Sequence, residues 1–257
     1  NVTHLKKVKT LLEKITGIII KTQDYSETHK IVTIFSKKIG LFSALARGAK
    51  KPKSRMAAVA QPFIYGEFLI YIGKGLSTIQ QGDILDSNRA IREDIIKTAY
   101  ATYIGELTYK LVEQKKPVPH LFVQFMNTLE WIAEKDDIDV PIMMYELKVY
   151  QEGGFAPTVD RCINCGIRTT SYSFSINEGG LLCQNCLTMD PYAINLPNAL
   201  VKLLYLFANV GIEQVGTINV KKENQQLLRH ILDQYYNQYG GFEIKSKKVL
   251  KQILDFM

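Results

Sequence analysis

The chain has 257 residues, more than a single domain usually holds, so two or three packed units are expected. With 46% hydrophobic and 22% charged residues it is globular rather than disordered, and no uncharged apolar run reaches the about 18 residues of a membrane span. Thirty-two Lys and Arg against 25 Asp and Glu give a formal net charge of +7, which suggests a polyanionic partner.

The charge is unevenly spread. Residues 1–85 hold 14 basic and 5 acidic side chains, residues 86–160 hold 8 and 13, and residues 161–257 hold 10 and 7. The first third therefore carries more than the whole net charge, and an anion-binding surface belongs there. The N-terminal apolar run from Ile15 to Ile20 stops at Lys21, too short for a signal peptide, and a cytoplasmic protein is expected.

Residues 14–82 read as five strands: Lys14–Gln23, His29–Ser36, Gly40–Arg47, Phe63–Gly73 and Leu76–Gln81. The runs are rich in β-branched and aromatic residues with polar breaks between them. In the fourth, Ile64, Phe68, Ile70 and Ile72 face one way and Tyr65, Glu67, Leu69 and Tyr71 the other. Gly73-Lys74-Gly75 forms a short hairpin link. Five strands in this length fit a small closed barrel. Between the third and fourth strands runs a cationic loop with Lys50, Lys51, Lys53 and Arg55.

From Arg89 the apolar period changes to steps of three and four, giving one long helix as far as the Pro117 region. Further helices are expected at His120–Glu134 and Pro141–Gln151, then, after a cysteine segment, at Asn198–Val210, Glu223–Tyr239 and Ser246–Met257. The fold class is α+β multidomain: a five-stranded barrel over residues 1–85, then a helical domain over 86–257 interrupted by a cysteine module at about 158–190. Residues 1–12 fall outside the pattern, as an extension or tag remnant.

All four cysteines, Cys162, Cys165, Cys183 and Cys186, follow the spacing C-x2-C-x17-C-x2-C. That spacing suits one tetrahedral Zn²⁺ with four thiolates and no open position, hence a structural role. Two disulfides or a redox pair are the competing readings, and nothing else suggests a secreted chain. No histidine begins H-x-E or H-E-x-x-H, and no Walker loop or dinucleotide fingerprint is present, so no nucleotide hydrolysis or other catalysis is supported.

Small barrels bind single strands by pairing a cationic track with aromatic platforms. Lys37, Lys38, Arg47, Lys50, Lys51, Lys53, Arg55 and Lys74 supply the charge here. Phe42, Tyr65 and Tyr71, with Phe63 and Phe68, are candidate stacking rings, although strand aromatics are more often core.

Gly17–Lys38 (GIIIKTQDYSETHKIVTIFSKK), Gly40–Arg55 (GLFSALARGAKKPKSR) and Ala60–Asp83 (AQPFIYGEFLIYIGKGLSTIQQGD) together resemble the bacterial RecO recombination-mediator family. So do GGFAP at Gly153–Pro157, the two C-x-x-C pairs, LLRHILDQYY at Leu227–Tyr236 and KSKKVL at Lys245–Leu250. The resemblance implies an oligonucleotide-binding (OB) type barrel followed by a helical domain with a zinc module. It also implies binding of single- and double-stranded DNA, annealing of complementary strands, and help in loading RecA onto strands coated with single-stranded-DNA-binding protein (SSB). The implied partners are RecR and the acidic C-terminal tail of SSB, with no enzymatic activity. Lys202, Arg229 and the cluster Lys245, Lys247, Lys248 and Lys251 are candidates to receive that tail. A zinc-containing barrel that binds RNA or serves transcription is the alternative; a zinc hydrolase is disfavoured by four closed ligands.

Overall fold

The structure is a computed structural model that describes residues 11–73, 75–214 and 220–256. It divides into two compact units. The first runs through Thr98 and takes in Glu113–Phe122; the second comprises Ala99–Val112 and the chain from Val123 onward.

In the first unit, β1 (Leu11–Tyr25), β2 (His29–Ser36), β3 (Gly40–Ala46), β4 (Tyr65–Ile72) and β5 (Ser77–Asp86) form a closed barrel in the order β1-β2-β3-β5-β4. All pairs are antiparallel except β3 with β5, where Ala44–Ala46 run parallel to Ser77–Ile79 and complete the circuit. Alternation along the strands, broken by register shifts between Ile19 and Lys21 of β1 and in the β4–β5 pairing, packs the inside with Ile15, Ile19, Val32, Ile34, Phe42, Phe68, Ile70 and Ile79. The stretch expected to be loop contains a short helix, α1 (Arg55–Val59), because Met56, Val59 and Ala60 are apolar and join the barrel core. Gly82 on β5 accommodates α1: a Cβ there would stand 2.5 Å from Val59 Cγ1. At the β2–β3 turn Gly40 has φ +80°, and a Cβ would meet the Lys116 carbonyl oxygen at 2.1 Å, so residues 113–122 close against this end of the barrel. Lys115 N–H donates to Leu41 O at 2.7 Å, and the Phe35 and Phe122 rings meet edge to face.

The long helix expected from Arg89 is two: α2 (Arg89–Arg92) and α3 (Ile95–Leu111). Asp94 interrupts it, its Oδ1 accepting from the N–H groups of Ile96 (2.8 Å) and Lys97 (3.0 Å) and so capping α3. There follow α4 (Pro119–Glu134), α5 (Asp139–Glu152), a three-stranded sheet of β6 (Tyr172–Ser175), β7 (Gly180–Cys183) and β8 (Ile194–Leu196) in the order β7-β6-β8, then α6 (Asn198–Asn209), α7 (Lys222–Tyr239) and α8 (Lys245–Asp255).

Every residue of α5 from Val140 to Tyr150 is buried, making it the central rod of the second unit. The two charges within this buried stretch, Glu146 and Lys148, are matched internally. Lys148 Nζ donates to the carbonyls of Phe207 (3.1 Å) and Val210 (2.7 Å) at the end of α6. Glu146, fully buried, accepts from Tyr103 Oη and from Arg229 Nη2 at 2.5 Å.

Candidate metal centre and nucleic-acid interface

The cysteine cluster is built from two knuckles. In the first, Gly166 N–H donates to Cys162 O at 2.9 Å, and Gly166 takes φ +72°, a conformation that favours glycine. This turns Cys162 and Cys165 toward one point. The second knuckle begins where β7 ends at Cys183 and continues in a 3-10 turn over Gln184–Met189 that carries Cys186. The hairpin register, Tyr172 opposite Cys183 and Ser173 opposite Leu182, holds that strand end in place. Ile163 N–H donates to Leu181 O at 2.7 Å and ties the knuckles together.

All four sulfurs lie within 4.8 Å of one another, and those of Cys165 and Cys183 are 3.7 Å apart. A tetrahedron of sulfurs about 2.3 Å from a central ion has edges of about 3.8 Å. The four cysteines are therefore placed to bind a metal ion. Cys183 N–H points at Cys162 Sγ (3.4 Å) and Asn164 Nδ2 at Cys186 Sγ (3.3 Å), the outer donors that orient thiolate ligands. Burial pushes the Cys162 thiol up, but backbone N–H donors from Cys165, Cys183 and Asn164 more than reverse this and bring it to about 6, whereas at Cys186 the Asn164 donor is outweighed by burial and the three neighbouring sulfurs, which push that thiol up to about 12.

On the barrel, Arg47, Lys50, Lys51, Lys53 and Arg55 are all exposed. The loop bearing them is fastened to the β1–β2 turn: Gly48 N–H donates to His29 Nδ1 (3.0 Å) and Lys50 N–H to Thr28 O (3.0 Å). Lys50 Nζ also pairs with Asp24 at 2.8 Å. Among the described residues Arg47, Lys51, Lys53 and Arg55 make no ion pair. His29 is the member of this site that the sequence did not reveal.

The register separates the other candidates. Lys30 pairs with Ala46 at the loop end of the β2–β3 hairpin, whereas Ser36 pairs with Gly40 at the far end, about 20 Å along the strands. Lys37 and Lys38 occupy that far turn, and Lys38 is paired with Glu13 at 2.6 Å. Lys74 lies outside the described residues. Phe42 cannot stack on a base: its side faces the barrel interior, where it is 1% exposed, and Phe63 and Phe68 are likewise core. Tyr65 is half-buried on the outer face, and Tyr71 is 40% exposed. Tyr71 pairs with Thr78, and Thr78 with Leu45, so Tyr71 shares a row with the root of the cationic loop, while Tyr65 pairs with Ile18 and Asp86.

In the second unit, several candidates for receiving an acidic tail are already matched. Arg229 pairs with Glu146 and Asp233, Lys247 with Asp233 at 2.8 Å, and Lys248 with Glu243. Lys202, Lys245 and Lys251 make no ion pair among the described residues. Two grooves pass Lys251 and Lys202. One, of about 510 Å³, is lined by Tyr100, Phe242, Leu250 and Leu254 with Lys247, Lys248 and Lys251. The other, of about 380 Å³, lies between the cysteine module and α6, with Val159, Tyr172, Val201, Tyr205 and Leu206 on its walls and Arg168 and Lys202 beside them.

A closed 1-2-3-5-4 barrel followed by a helical unit with a four-thiol cluster defines an OB-type barrel protein with an appended helical, cysteine-bearing domain. More particularly, the chain belongs to the recombination protein O family, whose N-terminal profile matches residues 11–88 and whose C-terminal profile matches residues 92–248. It is 61% identical over 246 residues to the DNA repair protein RecO of Oceanobacillus iheyensis, covering 96% of this chain and 95% of that one. It is 44% identical over 246 residues to the protein of the same name from Bacillus mycoides (96% and 99% covered) and 42% identical over 243 residues to that of Bacillus pumilus (95% of each). Among the described residues no helix is long and apolar enough to cross a membrane.

Proposed function

We propose that this chain is a recombination mediator in DNA repair, acting by binding and strand pairing without bond chemistry. In this reading the barrel binds single- and double-stranded DNA, complementary strands are annealed on it, and RecA is helped onto SSB-coated strands in concert with RecR. The observation that carries it is the group Arg47, Lys51, Lys53 and Arg55: four exposed cations on one anchored loop and the first residue of α1, none matched by a carboxylate among the described residues. Two DNA strands repel, and a surface that neutralises phosphates and releases their counterions lowers that repulsion without ATP. Relatives named as DNA repair proteins, similar over nearly their whole length, support the same reading.

The four cysteines are assigned to one structural Zn²⁺. Four thiolates suit that ion, and with no position left for water its contribution is to fold residues 158–190.

The SSB tail, an acidic peptide, is assigned to the smaller groove. The larger carries Asp139, Asp233, Glu243 and Asp255 against Arg229, Lys247, Lys248 and Lys251, which cancel. The smaller has Arg168 opposed by Asp160, with Lys202 left over beside an apolar wall.

The test is a strand-annealing assay on bare and SSB-coated complementary oligonucleotides with ATP omitted. Faster annealing in both cases is expected; no acceleration of bare strands by folded protein would refute the reading.

A further inference from the structure

We propose that the cysteine module is a peroxide-sensitive site, in which Cys165 is oxidised first, is captured by Cys183, and the metal is thereby released. This rests on the reading that the cluster holds zinc.

The four sulfurs are unequally protected. Cys162, Cys183 and Cys186 are buried, at 0%, 6% and 8% exposure, whereas Cys165 is exposed, as is the knuckle from Asn164 to Thr170 around it. A small oxidant in water therefore reaches Cys165 before the others. All three other sulfurs lie within 4.8 Å of it; that of Cys183 stands 3.7 Å away and belongs to the other C-x-x-C pair, so a bridge to it would join the two knuckles.

The chemistry balances with hydrogen peroxide as the oxidant. The Cys165 thiolate attacks one peroxide oxygen; the O–O bond breaks, giving the sulfenic acid and hydroxide. The Cys183 thiolate then attacks that sulfur and expels a second hydroxide, leaving a disulfide. Two electrons pass from two sulfurs to one peroxide. Half of the ligand set is lost, and the two remaining thiolates cannot complete a tetrahedral site.

Val159, Arg168, Thr169 and Tyr172 form the module's wall of the smaller groove, facing Val201 and Tyr205 of α6. Since metal binding in such modules is folding energy, release loosens this wall. The oxidative state of the cysteines thus controls one face of the helical unit while the barrel keeps its own core.

The experiment uses the full chain, purified under reducing conditions, with zinc measured by elemental analysis. It is then titrated with hydrogen peroxide while a chromogenic chelator follows zinc release, a thiol reagent counts free cysteines, and peptide mass spectrometry maps the first bridge. The expected result is loss of one zinc per chain as two thiols disappear, with a Cys165–Cys183 disulfide formed first and both changes reversed by a dithiol plus zinc. Zinc retained after two thiols are consumed, zinc lost without a disulfide, or a first bridge that omits Cys165 overturns the inference. A reduced chain that contains no zinc overturns the metal reading beneath it.

Discussion

Lys50 Nζ stands 2.8 Å from a carboxylate oxygen of Asp24, so one cation of the loop is already matched within the barrel. The lysine beside the carboxyl holds it below the usual carboxylate range. Lys51, one residue on, makes no ion pair among the described residues. The two are therefore unequal despite their adjacency. Lys51→Ala is expected to reduce the slope of log affinity against log salt by about 0.7 for single-stranded DNA, and Lys50→Ala by clearly less. Fluorescence anisotropy at several salt concentrations measures both; equal slopes for the two variants would contradict the assignment.

Tyr71 and Phe42 part in the opposite sense. Tyr71→Ala should weaken single-stranded DNA binding by about 1–3 kcal/mol, the value of one stacked base, and leave thermal stability nearly unchanged. Phe42→Ala should cost about 3–5 kcal/mol of stability, because it opens a cavity among Ile34, Ala44 and their neighbours. Melting curves together with binding isotherms separate the two effects.

Cys183→Ser removes a ligand from the end of β7. Metal content, read by elemental analysis, should fall well below one ion per chain, and proteolysis should strike first within residues 158–190. DNA binding by the folded barrel should persist. Full metal content in the variant would show that Cys183 is not a ligand.

Asp233 receives Arg229 Nε and Lys247 Nζ, each at 2.8 Å. Burial pushes its carboxyl up, and the two cations more than reverse that, leaving it below the ordinary range. A depressed carboxylate contributes stability that is fully present above its unfolded pKa of about 4 and is lost as pH falls through the lower folded value. Asp233→Asn should therefore lower the melting temperature at pH 7 by about 2–4 °C, the shift that about 1 kcal/mol produces at this size, solvent screening of the partly exposed pair included. Below about pH 4 the variant's stability should fall less steeply than that of the parent, as differential scanning calorimetry would record.

Much of this was legible in the sequence because it rests on local patterns. The alternation of Tyr65–Ile72 reports a half-buried strand, and the cysteine spacing reports a cluster. Other features depend on closure and packing. Whether Phe42 points in or out is decided by the β2–β3 register, which its own segment does not encode. The strands of the cysteine module span only three or four residues, too few for a period to show. Glu146 and Lys148 fall within the helix expected over Pro141–Gln151, and they lie inside the second unit because partners remote in sequence, Tyr103, Arg229 and the α6 carbonyls, satisfy them. The break at Asp94 did carry a signal, a capping residue immediately before an apolar run.

The most direct test of the central claim replaces Arg47, Lys51, Lys53 and Arg55 together by alanine and measures single-stranded DNA affinity across a range of salt concentrations. Four lost phosphate contacts should lower the magnitude of the log–log slope by about 2.8, weaken all sequences alike, and slow strand annealing, with the circular dichroism spectrum unchanged. An unchanged slope in a correctly folded variant would place the DNA track elsewhere and contradict the account.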